Sequence, residues 1–264
     1  MSTAAQHRRV AFPPNWPARI GLAALAIYAV YAAQILDITW ARFLVGLDQG
    51  AKFLDRMFPP NFAADKLHLL TTGMAESLQI AILATVIGVL LSVPLGLAAA
   101  RNLAPAPIAW TARLLVVLFR TFHPVIIAIL FVKAVGFGAL AGMLALIFAS
   151  MGFLSKLLAE AVEEMSMKQV EAVRATGSPF LSVIVMGVMP QVMPRFIGFC
   201  AYQLDSNLRN SALVGLVGGG GIGATLFTAF QRFDYDFVLT IVLTIIAAVM
   251  VGEVISGLMR RMFQ

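Results

Sequence analysis

Seven polar side chains interrupt an otherwise apolar stretch of the sequence: Gln203, Asp205, Ser206, Asn207, Arg209, Asn210 and Ser211. Ionisable groups are costly inside a bilayer, so groups placed there must face a partner or water. Asp205 and Arg209 are four residues apart and share one helix face, so they can simply pair with each other. The alternative is a polar translocation path lined by Asp205, Asn207, Arg209 and Asn210, with Arg209 and the amides donating hydrogen bonds.

A second candidate group lies in the charged stretch 160–176, which is followed by Gly177. Glycine suits the left-handed residue that closes a helix, so the pattern predicts a short helix at about 165–178. Such a helix can insert into a groove on a soluble partner, with small residues in close contact and charged residues at the rim. A solvated loop between two spans is the alternative. The residues proposed for these contacts are Glu171, Ala172, Arg174 and Gly177.

The composition places these residues in a membrane protein. The 264 residues are 60% hydrophobic and 12% charged, with a mean hydropathy of +0.90. The net charge of +6 does not indicate nucleic-acid binding, because the basic residues are scattered between apolar runs. The single Cys200 excludes a disulfide within the chain, and the three histidines lack metal-ligand spacing. No serine or cysteine nucleophile constellation is recognisable, so catalytic residues are not predicted.

Apolar runs predict an all-α polytopic protein with about six transmembrane helices. Between the first two spans, residues 37–70 alternate in charge around amphipathic segments and predict an aqueous loop. The first run resembles a signal peptide in its small residues, but its length favours a retained anchor. The predicted spans are 19–36, 75–100, 114–135, 140–158, 190–216 and 237–258.

Lysine and arginine placement predicts the orientation. Ten basic residues fall on the side of the amino terminus and six on the other, with three more near or within spans. The positive-inside rule then places both termini, together with residues 159–182, in the cytoplasm. The chain divides into residues 1–70, comprising the amino terminus, first span and outer loop, and a five-helix core at 71–264.

The segment 171–177 reads Glu-Ala-Val-Arg-Ala-Thr-Gly and is followed by Met189-Pro190, which resembles the EAA signature of binding-protein-dependent ABC importer permeases. Val173 and Met189 depart from the signature, where alanine and leucine are expected. From about residue 71, the chain further resembles the phosphonate importer permeases (PhnE-like) within the methionine-permease-like (MetI-like) fold. The matching stretches are SVPLGLAAARN (92–102), AVGFGALA (134–141), GFLSKLLAEAVE (152–163), PQVMP (190–194) and NLRNSALVGLVGGGGIG (207–223).

This resemblance implies a type I ABC importer permease fold in the bacterial inner membrane, and a path for phosphonate, phosphite or phosphate. His123 replaces the apolar residue expected before Pro124, which leaves the choice of anion open. The implied partners are a second copy of the chain, two cytoplasmic ATPase subunits and an extracytoplasmic phosphonate-binding protein. The chain itself needs no cofactor, because ATP and Mg²⁺ would bind the ATPase subunits.

A glycine-rich run follows the fifth predicted span. It lacks the Lys-Ser or Lys-Thr pair of a P-loop, so it does not predict nucleotide binding. By resemblance the run is part of the outer gate, and a merely tight turn is the alternative. The gate residues are Gly218, Gly219, Gly220 and Gly221.

Two other functions are alternatives to the importer permease. A secondary transporter of a small anion predicts related halves with paired broken helices, and the six predicted spans show no such repeat. A membrane-embedded enzyme needs a titratable cluster within reach of a substrate, and Asp205, Arg209 and Glu253 form no recognisable catalytic set.

Overall fold

The computed structural model describes residues 16–37 and 39–263, and the elements within these ranges are helices joined by short turns. The chain separates into two compact units, Met1–Arg56 and Met57–Gln264. The division proposed from sequence, at residue 70, falls inside a helix that begins at Ala64. Five helices are long and apolar enough to cross a membrane, and a bent pair makes up to six. The prediction of about six spans is therefore confirmed.

The first unit holds the apolar helix α1 (Trp16–Ile35), and α2 (Trp40–Met57) begins in it. The expectation of an aqueous loop at 37–70 is wrong, since α2 and the start of α3 (Ala64–Ala99) occupy most of that range. Apolar residues recur every three or four positions in α2, a spacing that gives a helix one apolar face. The alternating charges that suggested a loop belong to its other face.

The core of the second unit is formed by α3, α6 (Ala139–Glu164) and α9 (Met189–Val214). α3 and α6 approach closely because small residues face each other: a Cβ added at Gly88 would lie 2.6 Å from Ser150 Cβ. The Ser155 hydroxyl donates to the Ser92 carbonyl across the same contact at 3.2 Å. Small residues allow such backbone approach between membrane helices, where dispersion contacts and hydrogen bonds hold the pair.

The third span is broken rather than straight. It consists of α4 (Ala106–Thr121) and α5 (Pro124–Val135), which meet at an angle of 90°. Pro124 lacks an N–H and disfavours the helical conformation of the residue before it. His123 is accordingly extended, at φ −68° and ψ 142°, and its Nδ1 accepts a 3.3 Å hydrogen bond from the Val125 N–H. The prediction of one continuous span at 114–135 is therefore wrong.

The fifth span also begins earlier than predicted. It starts with α8 (Phe180–Val183), passes through a π-helical turn (Ile184–Val188) and continues as α9. Because the π-helical turn precedes Pro190, the proline occupies the first turn of α9, where a missing N–H is tolerated. The start predicted at 190 is therefore wrong, because the span begins earlier, with α8 and the π-helical turn. The remaining elements are α7 (Met167–Ala175), which precedes α8, a second π-helical turn (Gly215–Gly219), α10 (Gly221–Gln231) and α11 (Tyr235–Phe263).

Hydrogen bonds and ion pairs near the helix ends of the second unit show which ends lie together, and the ends form two groups. At one end, the Arg101 N–H donates to Glu163 at 2.7 Å, and Glu163 also pairs with Arg113. At the other end, the Gly138 N–H donates to the Gly218 carbonyl at 2.9 Å, and Lys66 pairs with Asp234 at 2.7 Å. The bent pair α4–α5 joins the first group to the second, so it acts as one crossing.

Candidate functional site

The predicted short helix between the fourth and fifth spans is present as α7 (Met167–Ala175). Gly177 has a φ of +75°, which glycine adopts without strain, and its N–H donates to the Arg174 carbonyl at 3.0 Å. Val170 is fully buried, so the face of α7 that carries it packs against the core. Glu171, Ala172, Arg174 and Gly177 are all exposed, so the four residues proposed for partner contact lie on accessible surface.

Hydrogen bonds join the start of α7 to α9. The Gln191 side chain donates to the Ser166 carbonyl at 3.2 Å and to the Gly187 carbonyl at 2.7 Å. Beside it, Arg195 pairs with Glu164 at 2.5 Å, which places Arg195 at the α7 end of the span. These contacts join the residues just before α7 directly to α9. Neither polar side chain was singled out from the sequence, because contacts 25 and 31 residues apart leave no local pattern.

The polar residues of α9 divide between two faces. Asn207 is fully buried, and its amide donates to Thr85 Oγ1 and to Ser150 Oγ, both at 2.9 Å. Gln203 donates to the same Ser150 hydroxyl at 2.9 Å and to Asn207 Oδ1 at 3.0 Å. This buried amide network joins α3, α6 and α9. The structure therefore turns Asn207 away from the surface on which Arg209 and Asn210 lie.

We expect Asn207→Leu to destabilise the protein by about 1–2 kcal/mol, because several hydrogen bonds between membrane helices, each worth roughly 0.6 kcal/mol, are lost together. The matched variant is Asn210→Leu, since Asn210 is half-buried and makes one 3.3 Å bond to Ser206 on its own helix. The thermal unfolding midpoint of the purified protein in detergent should fall further for Asn207→Leu. Equal midpoints would show that the network contributes nothing to stability.

Arg209 and Asn210 lie on the accessible side of α9, between the exposed Tyr202 and Leu213. Arg209 remains 41% exposed while it pairs with Asp205 at 2.7 Å, and the Asp205 side chain is only 8% exposed. Asp205 packs against α11, and within the described residues its buried Oδ1 accepts no hydrogen bond. The sequence left two interpretations of this pair open, and the structure contains both features: Arg209 is paired, and it keeps donors at the surface.

The glycine run forms a tightly packed turn between α9 and α10. Gly218, Gly220 and Gly221 have φ values of +99°, +78° and +69°. The turn contacts the α5–α6 connection through Gly218 and contacts α3 through Ser77, whose Oγ accepts the Ile222 N–H at 2.9 Å. An open groove of about 560 Å³ lies beside it, lined in part by Phe137 and Phe227. The predicted gate residues are thus a close-packed junction at the end of the protein opposite α7.

Gly220→Ala should destabilise the protein by about 2 kcal/mol or more, because it combines an unfavourable positive φ with overpacking. An added Cβ would lie 2.7 Å from the Ala139 backbone nitrogen. Gly257→Ala is the control, since nothing lies within 4 Å of the corresponding position in α11. Thermal midpoints in detergent measure the difference. A Gly220→Ala protein as stable as the control would contradict the packed-turn description.

The three groups follow one another along the chain, in and on either side of the helical segment that begins with α8 and ends with α9. α7 precedes it, the charge pair occupies the middle of α9, and the glycine turn follows. The structure does not bring them into a single pocket. It places them one after another along the chain, with the start of α7 hydrogen-bonded to α9. This arrangement suits a protein that changes conformation rather than one with a preformed reaction site.

The sequence profile of binding-protein-dependent transport system inner membrane components matches residues 92–264. The matched region contains α7, the charge pair and the glycine turn. The chain belongs to this family. It is therefore a multi-pass inner-membrane permease subunit, and the ATPase and substrate-binding functions of such importers belong to partner proteins. Family membership sets aside both the secondary transporter and the membrane-embedded enzyme.

Curated relatives of this permease include proteins named for the transport of phosphate and phosphite. A phosphate-import permease protein PhnE of Mycolicibacterium smegmatis is 38% identical over 251 residues, covering 92% of this chain and 46% of that protein. The chain thus spans about half of that relative's length. The phosphite transport system permease protein PtxC of Stutzerimonas stutzeri is 34% identical over 264 residues, covering 98% of this chain and 94% of that protein.

Solved structures agree on the fold of the permease. The MetNI methionine ABC transporter in an inward-facing conformation matches with a TM-score of 0.68 at 20% identity. The match covers 77% of this chain and all of that chain. At this level of identity the likeness concerns the fold alone, and it confirms the methionine-permease-like architecture predicted from the sequence.

Proposed function

We propose that two copies of this chain form the path of an ATP-driven importer for a phosphorus oxyanion, meaning phosphate, phosphite or a phosphonate. The observation that carries the proposal is the charge pair on α9, in which Arg209 keeps donors exposed while bound to Asp205. The names of relatives refer to phosphate import, phosphite transport and, for an Escherichia coli protein 43% identical over 121 residues, phosphonate transport. Arginine is well suited to phosphorus oxyanions because its donors match their oxygens.

The exposed position of Arg209 supports a homodimer. A charged group within a membrane span needs water or a protein partner, and a second copy facing this side of α9 would enclose both Arg209 and Asn210. Pairing with Asp205 keeps the net charge of the path low, so an anion is attracted without being held tightly, as conduction requires. Asn207 would support the path from behind by fixing the rotation of α9.

The accessible face of α7 is proposed as the attachment site for the ATPase subunits. Glu171, Ala172, Arg174 and Gly177 would contact a groove on each subunit, where ATP and Mg²⁺ bind. No cofactor is assigned to this chain. α11 ends on the side of α7, which supports a cytoplasmic position for both, and the placement of the basic residues predicts the same side for the amino terminus. The glycine turn would then be part of the outer gate, facing a phosphonate-binding protein.

Reconstitution tests the proposal directly. The permease, its ATPase and its binding protein would be combined in proteoliposomes and supplied with phosphate, phosphite or a simple alkylphosphonate. ATP hydrolysis and uptake should both rise when the binding protein carries one of these anions. Uptake without the ATPase, or stimulation by none of the three, would overturn the proposal.

A further inference from the structure

The amphipathic helix α2 has two chemically different sides. Its apolar side carries Trp40, Phe43, Leu44, Leu47 and Leu54, and all five side chains are exposed. Trp40 and Phe43 stack with ring centroids 5.3 Å apart. Arg42, Lys52 and Arg56 lie on the other side, and Asp48 and Asp55 lie at the border between the two sides. An exposed apolar stripe of this length in an aqueous loop would be unfavourable, so it needs an apolar surrounding.

The short connectors on either side of α2 limit which apolar surroundings the helix can reach. Four residues (36–39) join α2 to the span α1, and six (58–63) join it to the span α3. Extended chain covers at most about 3.6 Å per residue, so these connectors reach roughly 14 and 22 Å. α2 itself is about 27 Å long. A helix tethered at both ends to spans that emerge on the same side of the membrane is held close to that membrane surface.

The composition of α2 fits the membrane interface better than the membrane interior. Five charged residues among 18 are too many for a crossing, and the helix is not among the apolar candidates for a span. Tryptophan and phenylalanine on the apolar side, with lysine and arginine opposite, are typical of helices that lie in the interface plane. The Lys52–Asp48 ion pair, at 2.6 Å and largely exposed, lies on the side that would face water.

We propose that α2 lies flat in the lipid interface, with its apolar side among the acyl chains. The occupant of this surface is therefore lipid rather than a second copy or another protein. The helix fixes the depth at which the chain between α1 and α3 rests on the bilayer. This inference stands independently of the transported anion.

Spin-label accessibility tests the proposal on the full chain in nanodiscs of phosphatidylcholine and phosphatidylglycerol. Replacing the single cysteine by Cys200→Ala removes the native labelling site. Labels would then be placed by Leu44→Cys, Leu47→Cys and Leu54→Cys on the apolar side and by Arg42→Cys, Lys52→Cys and Arg56→Cys on the charged side. Leu25→Cys, in the exposed apolar helix α1, gives a lipid reference.

The apolar-side labels should be relaxed mainly by oxygen, as at the reference, and the charged-side labels mainly by a water-soluble nickel chelate. High nickel accessibility at all six positions would show an aqueous helix and overturn the proposal. Protection of the apolar side from both reagents would show a protein occupant and overturn it as well. As a second measurement, Trp16→Phe with Trp110→Phe leaves only Trp40, whose fluorescence should be quenched by lipids brominated on their acyl chains.

Discussion

Ala172→Arg in α7 is expected to abolish the stimulation of ATP hydrolysis by the loaded binding protein, with anion uptake reduced by about 100-fold or more. Ala172 is exposed and small, so a partner groove that fits it closely has no room for an arginine side chain. Losses of several kcal/mol are typical when a tightly packed interface position is disrupted, and 2.8 kcal/mol corresponds to about 100-fold in affinity. Co-purification of the ATPase with the permease measures attachment, and uptake into proteoliposomes measures function.

A matched substitution separates lost docking from misfolding. Ala106→Arg introduces the same side chain at an exposed alanine at the start of α4, near the same end of the protein but outside α7. Exposed substitutions usually change stability by about 0.5 kcal/mol or less, so both variants should keep the thermal midpoint of the unmodified chain. Normal ATPase attachment and uptake by the Ala172→Arg protein would show that α7 is not the docking element.

Removing both charges on α9 is expected to reduce uptake by about 10- to 100-fold while the importer still assembles. The variant is Asp205→Asn with Arg209→Gln, because removing Arg209 alone would leave the buried Asp205 carboxylate without its partner. The double substitution keeps polar side chains of similar size and removes the charged donor. Hydrogen bonds to charged groups contribute about 1.5–3 kcal/mol, which corresponds to the expected loss. The measurement is uptake of the anion in proteoliposomes with the ATPase and binding protein present.

Arg209→Lys distinguishes an anion-binding role from a purely structural one. Lysine keeps the positive charge opposite Asp205 but lacks the planar fork of arginine. If Arg209 contacts the anion, uptake should fall for Arg209→Lys while the thermal midpoint stays close to that of the unmodified chain. If uptake is unchanged in both this variant and the double substitution, Arg209 has no part in transport and the pair is only structural.

Some features of the fold followed from local sequence signals. The spans come from apolar runs, because a bilayer accepts a backbone only when its polar groups are satisfied within a helix. The end of α7 follows from Gly177, since a left-handed residue after a helix is a local property of glycine. The break in the third span also had a local signal in Pro124, but the apolar run continues across it and hid the bend. In α2, the apolar residues have helical spacing, but the alternating charges between them favoured the prediction of a loop.

The sequence by itself determined that this chain is a helical membrane permease with an exposed helix between two spans, because hydropathy, helix termination and the EAA-like segment are encoded by neighbouring residues. Only the tertiary structure decided what each polar residue of α9 does. Asn207 and Arg209 are two positions apart, yet Asn207 is buried against Thr85 and Ser150 and Arg209 remains exposed. Two residues correspond to about 200° of rotation around a helix, and the direction in which that rotation is fixed depends on partners 122 and 57 residues away.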